Sequence, residues 1–333
     1  MKFQRDPVDI NIMNYKPIFI SVLIIAYDRK EFLIDAIESV KSQTLDKGYY
    51  EIIVIKNYQD KTIDDWISKN NIKNIYSLNQ TLGAKIAEAL NYVKGNIISF
   101  LEDDDLFLNI KLEYVYSLFK NSEDLVFYHN AIEFIDDKGN LLNKRSTDPA
   151  FNLSSMSICK DILDDNLLNK IPTAVDTIIY FKALDSGKKI VYNDKILGYY
   201  REHLSLTHAK GSLEDVLASK VKNSELYITS FPFLYNTLNN QNVKNKLKNL
   251  ILSFEINLNL LCSIVKCNRR YHTSKSNIIF WLTYRDCNVN VNNSIIDCLR
   301  TFCFKIAKLI FLLIPLFIKK KLMRYYIRAW LTE

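Results

Sequence analysis

The chain has 333 residues, 48% of them hydrophobic, so it can bury a sizeable core and is not expected to be disordered. Only 7 glycines occur, and neither a G-x-G-x-x-G nor a G-x-x-x-x-G-K-[ST] motif is present, which argues against Rossmann and P-loop phosphate sites. The net charge of +7 is carried by residues 300–333, where eight basic residues accompany one acid, so no nucleic-acid partner is expected.

The first hundred residues alternate between strand and helix patterns. Residues 18–27 form a β-branched run typical of a strand buried on both faces, and a helix is predicted over 31–42, with Asp28 as N-cap and Glu31 at the capping-box position. Further strands are predicted at 51–55, 74–78 and 96–101, and further helices at 62–69 and 82–93. Such alternation predicts a mostly parallel sheet covered by helices on both faces.

The remainder of the chain is organised differently. The predicted elements are a helix at 109–120, a strand at 124–136, a hairpin turn at 136–140, a helix at 173–184 and two short strands between 188 and 203. Long helical patterns begin near residue 212. We therefore divide the chain into a lead-in (1–16), an α/β domain (17–210), a helical region (211–299) and a basic tail (300–333).

Four consecutive acids, Glu102–Asp105, follow the third long strand. Ligands of open α/β sheets bind beyond the carboxyl ends of strands, where Tyr27, Asp28, Lys56 and Asn57 are also expected. Oxygen ligands at this edge suit Mg²⁺ or Mn²⁺, which could hold a diphosphate. The alternative is that the acids open the next helix, where the dipole stabilises each charge by about 0.3–1 kcal/mol. Two acids would suffice for that purpose, whereas four repel one another.

Three segments, read together, resemble family 2 glycosyltransferases of the GT-A fold over residues 17–210. The family's opening strand, Tyr-Asn-Arg turn and first helix resemble "SVLIIAYDRKEFLIDAIESVKSQTL"; its Gly-x-x-x-Ala-Arg-Asn helix, strand and Asp-x-Asp motif resemble "LGAKIAEALNYVKGNIISFLEDDDLF"; and its closing Tyr-Arg-x-His-x-x-Ser segment resembles "YYREHLSLTH". The three occur in the family's order and spacing. The resemblance implies a GT-A type α/β fold, with a mostly parallel or mixed sheet sandwiched by helices and followed by an α-helical C-terminal region.

The resemblance also implies a nucleotide site. Tyr27 would stack on the base, with Asp28 beside it, and Glu102 or Asp103 would contact the ribose. The family often has two acids after the second strand, one of which reads the base, but this chain has Lys56 and Asn57 there. Asn57 could still hydrogen-bond a base edge. The sequence therefore does not determine the identity of the nucleotide base. A UDP-sugar is the first expectation, and a GDP-sugar is the second. Tyr27 could instead be a packing residue.

The metal and phosphate contacts follow in the same way. Asp104 would ligate the metal that bridges the diphosphate, with Asp105 beside it, and Lys85 would face the phosphates. Arg201 and His203 would lie near the diphosphate or the metal. Lys85 could equally be a solvated lysine on its helix, and His203 a structural histidine.

Asp176 is the candidate catalytic base. The family usually has an acidic pair opening a helix at this place, whereas here Val175 precedes Asp176. A carboxylate there would take the proton from the acceptor hydroxyl as it attacks the anomeric carbon, which implies direct displacement with inversion. The alternative is a plain N-cap after Pro172.

The basic tail contains an apolar run of 10 residues, Leu309–Ile318, short of the ~20 that a spanning helix needs. With Lys319–Lys321 following it, an interfacial helix on a membrane surface is expected. No apolar signal-peptide core is present near the N-terminus, and the six cysteines are expected to be unbridged. These features predict a cytoplasmic enzyme, peripheral to the membrane, with a hydroxyl acceptor that could be lipid-linked. The tail could instead dock on the protein's own core or on a second subunit, which leaves a homodimer open.

Two other readings compete with a glycosyltransferase. A nucleotidyltransferase would also bind a nucleotide and a metal, but it is expected to carry a Gly-rich loop after the first strand, where "IIAYDRKEF" has no glycine. A non-catalytic sugar-binding or membrane scaffold on a degenerate fold is the third, and the altered Lys56–Asn57 pair leaves room for it.

Overall fold

The computed structural model describes residues 17–27, 29–202, 213–265, 273–284 and 295–313. The predictions for residues 1–16, for Asp28 and His203, and for the end of the basic tail lie outside these ranges.

A mixed sheet of nine strands forms the centre of the described residues. Its strands are β1 (Ile20–Ala26), β2 (Tyr50–Lys56), β3 (Lys73–Tyr76), β4 (Ile97–Glu102), β5 (Leu106–Phe107), β6 (Leu125–Ile135), β7 (Leu141–Ser146), β8 (Met156–Cys159) and β9 (Lys189–Arg201). Strands β3, β2, β1 and β4 are adjacent and parallel. Strand β8 pairs antiparallel with both β4 and β6, and β9 runs parallel to β6. The first half of the sheet is therefore of the predicted parallel type, and the second half is mixed.

Helices cover both faces of the sheet. They are α1 (Lys30–Lys41), α2 (Lys61–Lys69), α3 (Leu82–Leu90), α4 (Lys111–Lys120), α5 (Asp165–Leu168), α6 (Val175–Asp185), α7 (Leu213–Thr237), α8 (Gln241–Val265), α9 (Lys275–Thr283) and α10 (Ile295–Leu313). Apolar residues of α1, α2 and α4 form the core on one face, and those of α3, α5 and α6 form the core on the other. Because every residue of β1 is buried, this strand is covered from both sides, as its sequence indicates.

The C-terminal helices share the core of the α/β part. Phe231 and Leu234 of α7 and Leu247 of α8 are buried in one cluster with Ile178 and Ile179 of α6. Helices α8, α9 and α10 then pack around Trp281, whose indole nitrogen donates to Ser253 Oγ at 2.8 Å. The helical region is thus continuous with the hydrophobic core that supports α6.

Several local predictions were wrong. The two strands predicted between 188 and 203 are one strand, β9, and strands β7 and β8 were not predicted. Helix α1 begins after Arg29, whose side chain makes no capping hydrogen bond. The capping box predicted on Asp28 lies outside the described residues. Cys262 is disulfide-bonded, against the expectation of unbridged cysteines.

The beginning of the basic tail packs on the protein. Lys305 Nζ donates to the backbone carbonyl of Trp281 at 2.6 Å, and Leu309 and Leu312 contact the Trp281 cluster. Within the part of the chain that the structure describes, no helix combines the length and hydropathy that crossing a bilayer requires.

Candidate active site

The predicted ligand edge is formed where β1, β2 and β4 end side by side. Ala26 is in register with Lys56, and Ile25 is in register with Glu102. Parallel strands bring their carboxyl ends to the same edge, so Tyr27, Asn57 and the acids after β4 meet there.

The acids do not open a helix. Helix α4 starts at Lys111, beyond the short strand β5, and its N-cap residue is Ile110, so the alternative that the acids serve the helix dipole is wrong. Asp103, Asp104 and Asp105 are at most 6% exposed. Since buried carboxylates are retained only when they are bonded or paired, each of them must be held by specific partners.

Those partners differ from one acid to the next. Asp103 Oδ2 accepts from the backbone N–H of Tyr27 at 2.8 Å, which ties the ends of β1 and β4 together. Asp105 accepts from Arg201 N at 3.0 Å and from Asn152 Nδ2 at 2.9 Å, one bond on each carboxylate oxygen. Both oxygens of Asp105 are thus engaged within the protein.

Arg29 supplies the positive charge that the acidic run requires. Its guanidinium is hydrogen-bonded to Asp104 Oδ2 and lies 3.7 Å from Asp103 Oδ1. No role was predicted for Arg29 from the sequence. Its position directly after β1, at the edge where the acids end, is the feature that could have identified it.

Lys85 and Tyr27 lie together beside the acids. Lys85 is only 2% exposed and its Nζ lies 4.2 Å from the centre of the Tyr27 ring, so the alternative of an ordinary solvated lysine is wrong. Tyr27 is 42% exposed, which leaves part of its apolar ring surface accessible beside the acids. A cation on one side of an aromatic ring and an open surface elsewhere are compatible with base stacking.

Lys56 points away from the site. It is 1% exposed, and its Nζ contacts Asp64 Oδ1 at 2.8 Å and the carbonyl oxygen of Tyr58 at 2.5 Å. Although desolvation opposes the shift, the hydrogen bonds from Lys56 and Asn74 hold the pKa of Asp64 below its usual value. Lys56 is therefore a structural cation at the end of β2, and Asn57 follows it, half-buried, at the ligand edge.

Arg201 is committed to the backbone. Its Nε donates to the carbonyl of Asp104 at 2.9 Å, and one terminal nitrogen donates to the carbonyls of Asp136 and Asp137 at 3.1 and 3.0 Å. The guanidinium also lies 4.4 Å from the ring centre of Phe32. These contacts use three of the five guanidinium N–H donors, so Arg201 first of all fixes the backbone that carries the acids.

Asp176 is the second residue of α6, and the N-cap is Ala174, so the plain N-cap interpretation of Asp176 is wrong. Its Oδ1 accepts from Thr177 N at 2.7 Å and its Oδ2 from Asn152 N at 3.3 Å. Burial, and then the negative charge of Asp148, raise the pKa of Asp176 to about 6. At neutral pH it remains ionised, yet it is a stronger base than an ordinary aspartate.

Glu102 lies close enough to Asp105 and Asp176 for their negative charges to affect its pKa. Desolvation and the neighbouring Asp105 and Asp176 raise the pKa of Glu102 to about 8, and burial raises the pKa of Asp105 as well. A bound cation would lower both. Carboxylates with such different surroundings at one edge are typical of catalytic sites.

The donor set fits a magnesium-type site of the open kind. No group of three or more His, Cys, Asp or Glu side chains that could hold a metal occurs within the described ranges, and His203 lies outside them. Mg²⁺, however, is usually bound by one or two carboxylates together with substrate phosphates and water. Asp104, which pairs with a guanidinium that a metal ion would have to displace, is the acid suited to that role.

Comparison with known proteins shows which family the chain resembles. Residues 21–183 match the family model described as glycosyl transferase family 2. An uncharacterised glycosyltransferase from Methanocaldococcus jannaschii is 31% identical over 138 residues, which cover 39% of this chain and 46% of that one. A UDP-Glc:alpha-D-GlcNAc-diphosphoundecaprenol beta-1,3-glucosyltransferase from Escherichia coli is 25% identical over 62% of this chain and 86% of its own.

Among solved structures, that of residues 1–349 of TarS from S. aureus in complex with UDP has a TM-score of 0.50 at 14% identity, covering 75% of this chain and 74% of that one. At this identity the likeness concerns the fold. The chain spans less than half the length of several curated relatives, the M. jannaschii protein among them.

Proposed function

This chain belongs to glycosyl transferase family 2 through its residues 21–183, and we propose that it transfers a sugar from a nucleoside-diphosphate sugar to a hydroxyl acceptor, with inversion at the anomeric carbon. The proposal rests on one observation. Asp176, whose pKa is raised to about 6, occurs together with a buried group of acids that is paired with the Arg29 guanidinium. A UDP-sugar is the first candidate donor, since the E. coli relative is named for UDP-Glc and TarS was crystallised with UDP. A GDP-sugar is the second.

Asp176 acts on the acceptor. Its carboxylate removes the proton from the attacking hydroxyl, a contribution of typically 10²–10⁴-fold. The N–H groups of Thr177 and Asn152 orient the two carboxylate oxygens, so the base is fixed before the acceptor arrives. A single base, acting on the face opposite the leaving diphosphate, gives inversion.

Lys85 and Arg29 act on the leaving group. Both are cations beside the acidic edge, where negative charge grows on the diphosphate as the sugar departs. When bound at Asp104, with Asp103 adjacent, Mg²⁺ or Mn²⁺ would neutralise part of that charge. Tyr27 offers its exposed ring to the nucleotide base.

The test combines binding with turnover. Thermal melting in UDP-glucose, UDP-GlcNAc and GDP-mannose, each with and without Mn²⁺, should show stabilisation by one donor that depends on the metal. Release of nucleoside diphosphate should then be lost in Asp104→Ala and Asp176→Asn, but kept in Asp161→Asn, which changes an exposed acid elsewhere. Wild-type rates in Asp176→Asn would exclude the assigned base, and binding without turnover in the wild type would favour the scaffold.

The acceptor and its location are a further part of the proposal. The E. coli relative is named for a diphosphoundecaprenol acceptor, and this chain carries a basic, apolar tail, so we assign it a lipid-linked acceptor at the cytoplasmic face of a membrane. Sedimentation with vesicles should show binding to anionic but not to zwitterionic lipid, reduced by neutral replacement of Lys319–Lys321. Equal sedimentation of the two proteins would instead favour a tail docked on the protein.

A further inference from the structure

We propose that Asn152 is a positioning residue that couples the donor-side acids to the catalytic base. The inference rests on the proposed function, because it assigns Asn152 a part in the same site. No sequence motif pointed to this residue, which lies in the connection between β7 and β8.

Asn152 bonds to both halves of the site at once. Its side-chain Nδ2 donates to Asp105 Oδ2 at 2.9 Å, while its backbone N–H donates to Asp176 Oδ2 at 3.3 Å. Its own Oδ1 accepts from Ser154 N at 2.5 Å. The residue is 4% exposed. Among the side-chain hydrogen bonds described for Asp105 and Asp176, Asn152 is the residue that joins them.

The backbone of Asn152 is held in an unusual conformation. Its φ is +66° and its ψ 120°, a region that non-glycine residues adopt only when their surroundings determine it. Ala174, two residues before Asp176, also has a positive φ, +60°. Both segments that frame the base are thus in strained conformations, which are typical of functional sites. The hydrogen bonds that the Asn152 side-chain amide makes with Asp105 and Ser154 fix its backbone N–H towards Asp176.

A glycine at position 152 separates these contributions. Asn152→Gly keeps access to positive φ but removes the amide that fixes it. The matched control is Asn71→Gly, at another positive-φ asparagine (φ 54°), which is exposed and follows α2. Asn152→Asp is the second variant, since it keeps the size of the side chain but opposes Asp105 with a like charge.

The first readout is UDP release from UDP-glucose with Mg²⁺. Relative to the wild type, kcat should fall about 10- to 100-fold in Asn152→Gly and further in Asn152→Asp, with KM for UDP-glucose changed less than threefold, because the base rather than the donor is displaced. Asn71→Gly should match the wild type. A higher KM for UDP-glucose with unchanged kcat would overturn the inference. Equal effects of the two glycine variants would also overturn it.

The second readout does not need turnover. The carboxyl carbon of Asp176, assigned with Asp176→Asn, is titrated by NMR in the ligand-free full chain. Charged and titratable groups facing Asp176 are Asp148 before Asn152, Glu102 at the end of β4 and Tyr227 on α7. Loss of the fixed Asn152 N–H should move the Asp176 midpoint upward in Asn152→Gly and leave it unchanged in Asn71→Gly.

These readouts distinguish the two proposals. If the wild type releases no UDP but the Asp176 midpoint moves, the proposed reaction fails while Asn152 is shown to hold the base. If the midpoint stays in place in Asn152→Gly, the positioning role is wrong whatever the activity. Should Asn152→Gly not fold, as judged by its melting curve, Asn152→Ser is titrated instead, because it removes the amide without adding a charge beside Asp176.

Discussion

At the scale of single residues, the site is a set of carboxylates distinguished by their partners. Asp103 bonds to the backbone after β1, Asp104 to Arg29, and Asp105 to Asn152 and to Arg201 N. Asp176 stands apart, held by two N–H donors. The same side chain thus ties two strand ends together, pairs with a guanidinium or remains a buried carboxylate with a raised pKa, depending on what surrounds it.

Arg29 and a metal ion should compete for Asp104. Arg29→Ala removes the cation from a buried carboxylate, so the ligand-free protein should lose about 1–3 kcal/mol of stability. The stabilisation produced by Mn²⁺ should increase, because the ion no longer displaces the guanidinium. Thermal melting against Mn²⁺ concentration measures both effects, with Arg145→Ala on the exposed strand β7 as control. A Mn²⁺ response equal to that of the wild type would contradict the assignment of Asp104 as ligand.

Asp176 should make stability depend on pH. Its pKa is raised from 3.8 to about 6 by burial and by Asp148. As pH rises, the unfolded chain loses this proton first, so the free energy of unfolding falls between about pH 4 and pH 6 and then levels. Asp176→Asn has no such loss.

The melting temperature of Asp176→Asn, minus that of the wild type, should therefore become more positive from pH 4.5 to pH 6.5. Asp161→Asn is the control and should show no such trend. A difference that stays constant with pH would mean that the pKa of Asp176 is not raised in the folded protein.

At the scale of elements, the site depends on how closely helices approach the sheet and one another. Helix α3, which carries Lys85, begins with Leu82 and Gly83 against the segment that contains α5. Gly83 N donates to the carbonyl of Ile171 at 3.3 Å. This close approach sets where Lys85 lies relative to Tyr27.

Gly83→Ala should destabilise the protein despite alanine's better helix propensity. A Cβ at this position would overlap the carbonyl oxygen of Leu168 and lie 2.6 Å from that of Ile171. Overpacking against backbone typically costs about 1–3 kcal/mol, more than the roughly 1 kcal/mol gained in propensity. Urea unfolding should show the loss, with Gly48→Ala, where the Cβ would meet only the side chain of Asp46 at 3.0 Å, as the milder case. Equal midpoints for the two variants would contradict the tight packing of α3.

The elements that were predicted correctly are those that a local sequence pattern identifies. The buried strands β1, β2 and β4 and the helices between them follow from apolar runs and periodicity. Strand β7 is exposed and polar, and β8 is a four-residue strand ordered by its neighbours β4 and β6, so neither has a local pattern to reveal it. Asn152 escaped notice for the same reason: its role exists only once the segment before β8 reaches Asp105 and Asp176.

At the scale of the whole molecule, the C-terminal helix α7 packs against α6, the helix that carries Asp176. Tyr227 of α7 lies near Asp176. Burial, and then the negative charge of Asp176, raise the pKa of Tyr227 to about 12. Phe231, one turn further on, is buried against the same core as α6. The sequence indicated the helices but not this contact, because helix periodicity does not specify which surface a helix will cover.

Phe231→Ala should therefore weaken the whole protein rather than the helical region alone. Phe231 is 1% exposed, so its loss should cost about 3–5 kcal/mol. Phe233→Ala, two residues away on the same helix but 43% exposed, should cost far less. Because α6 and α7 share one core, calorimetry should show a single transition that moves down in Phe231→Ala. A separate, unshifted transition that still responds to UDP would show instead that residues 17–210 fold independently of α7 and α8.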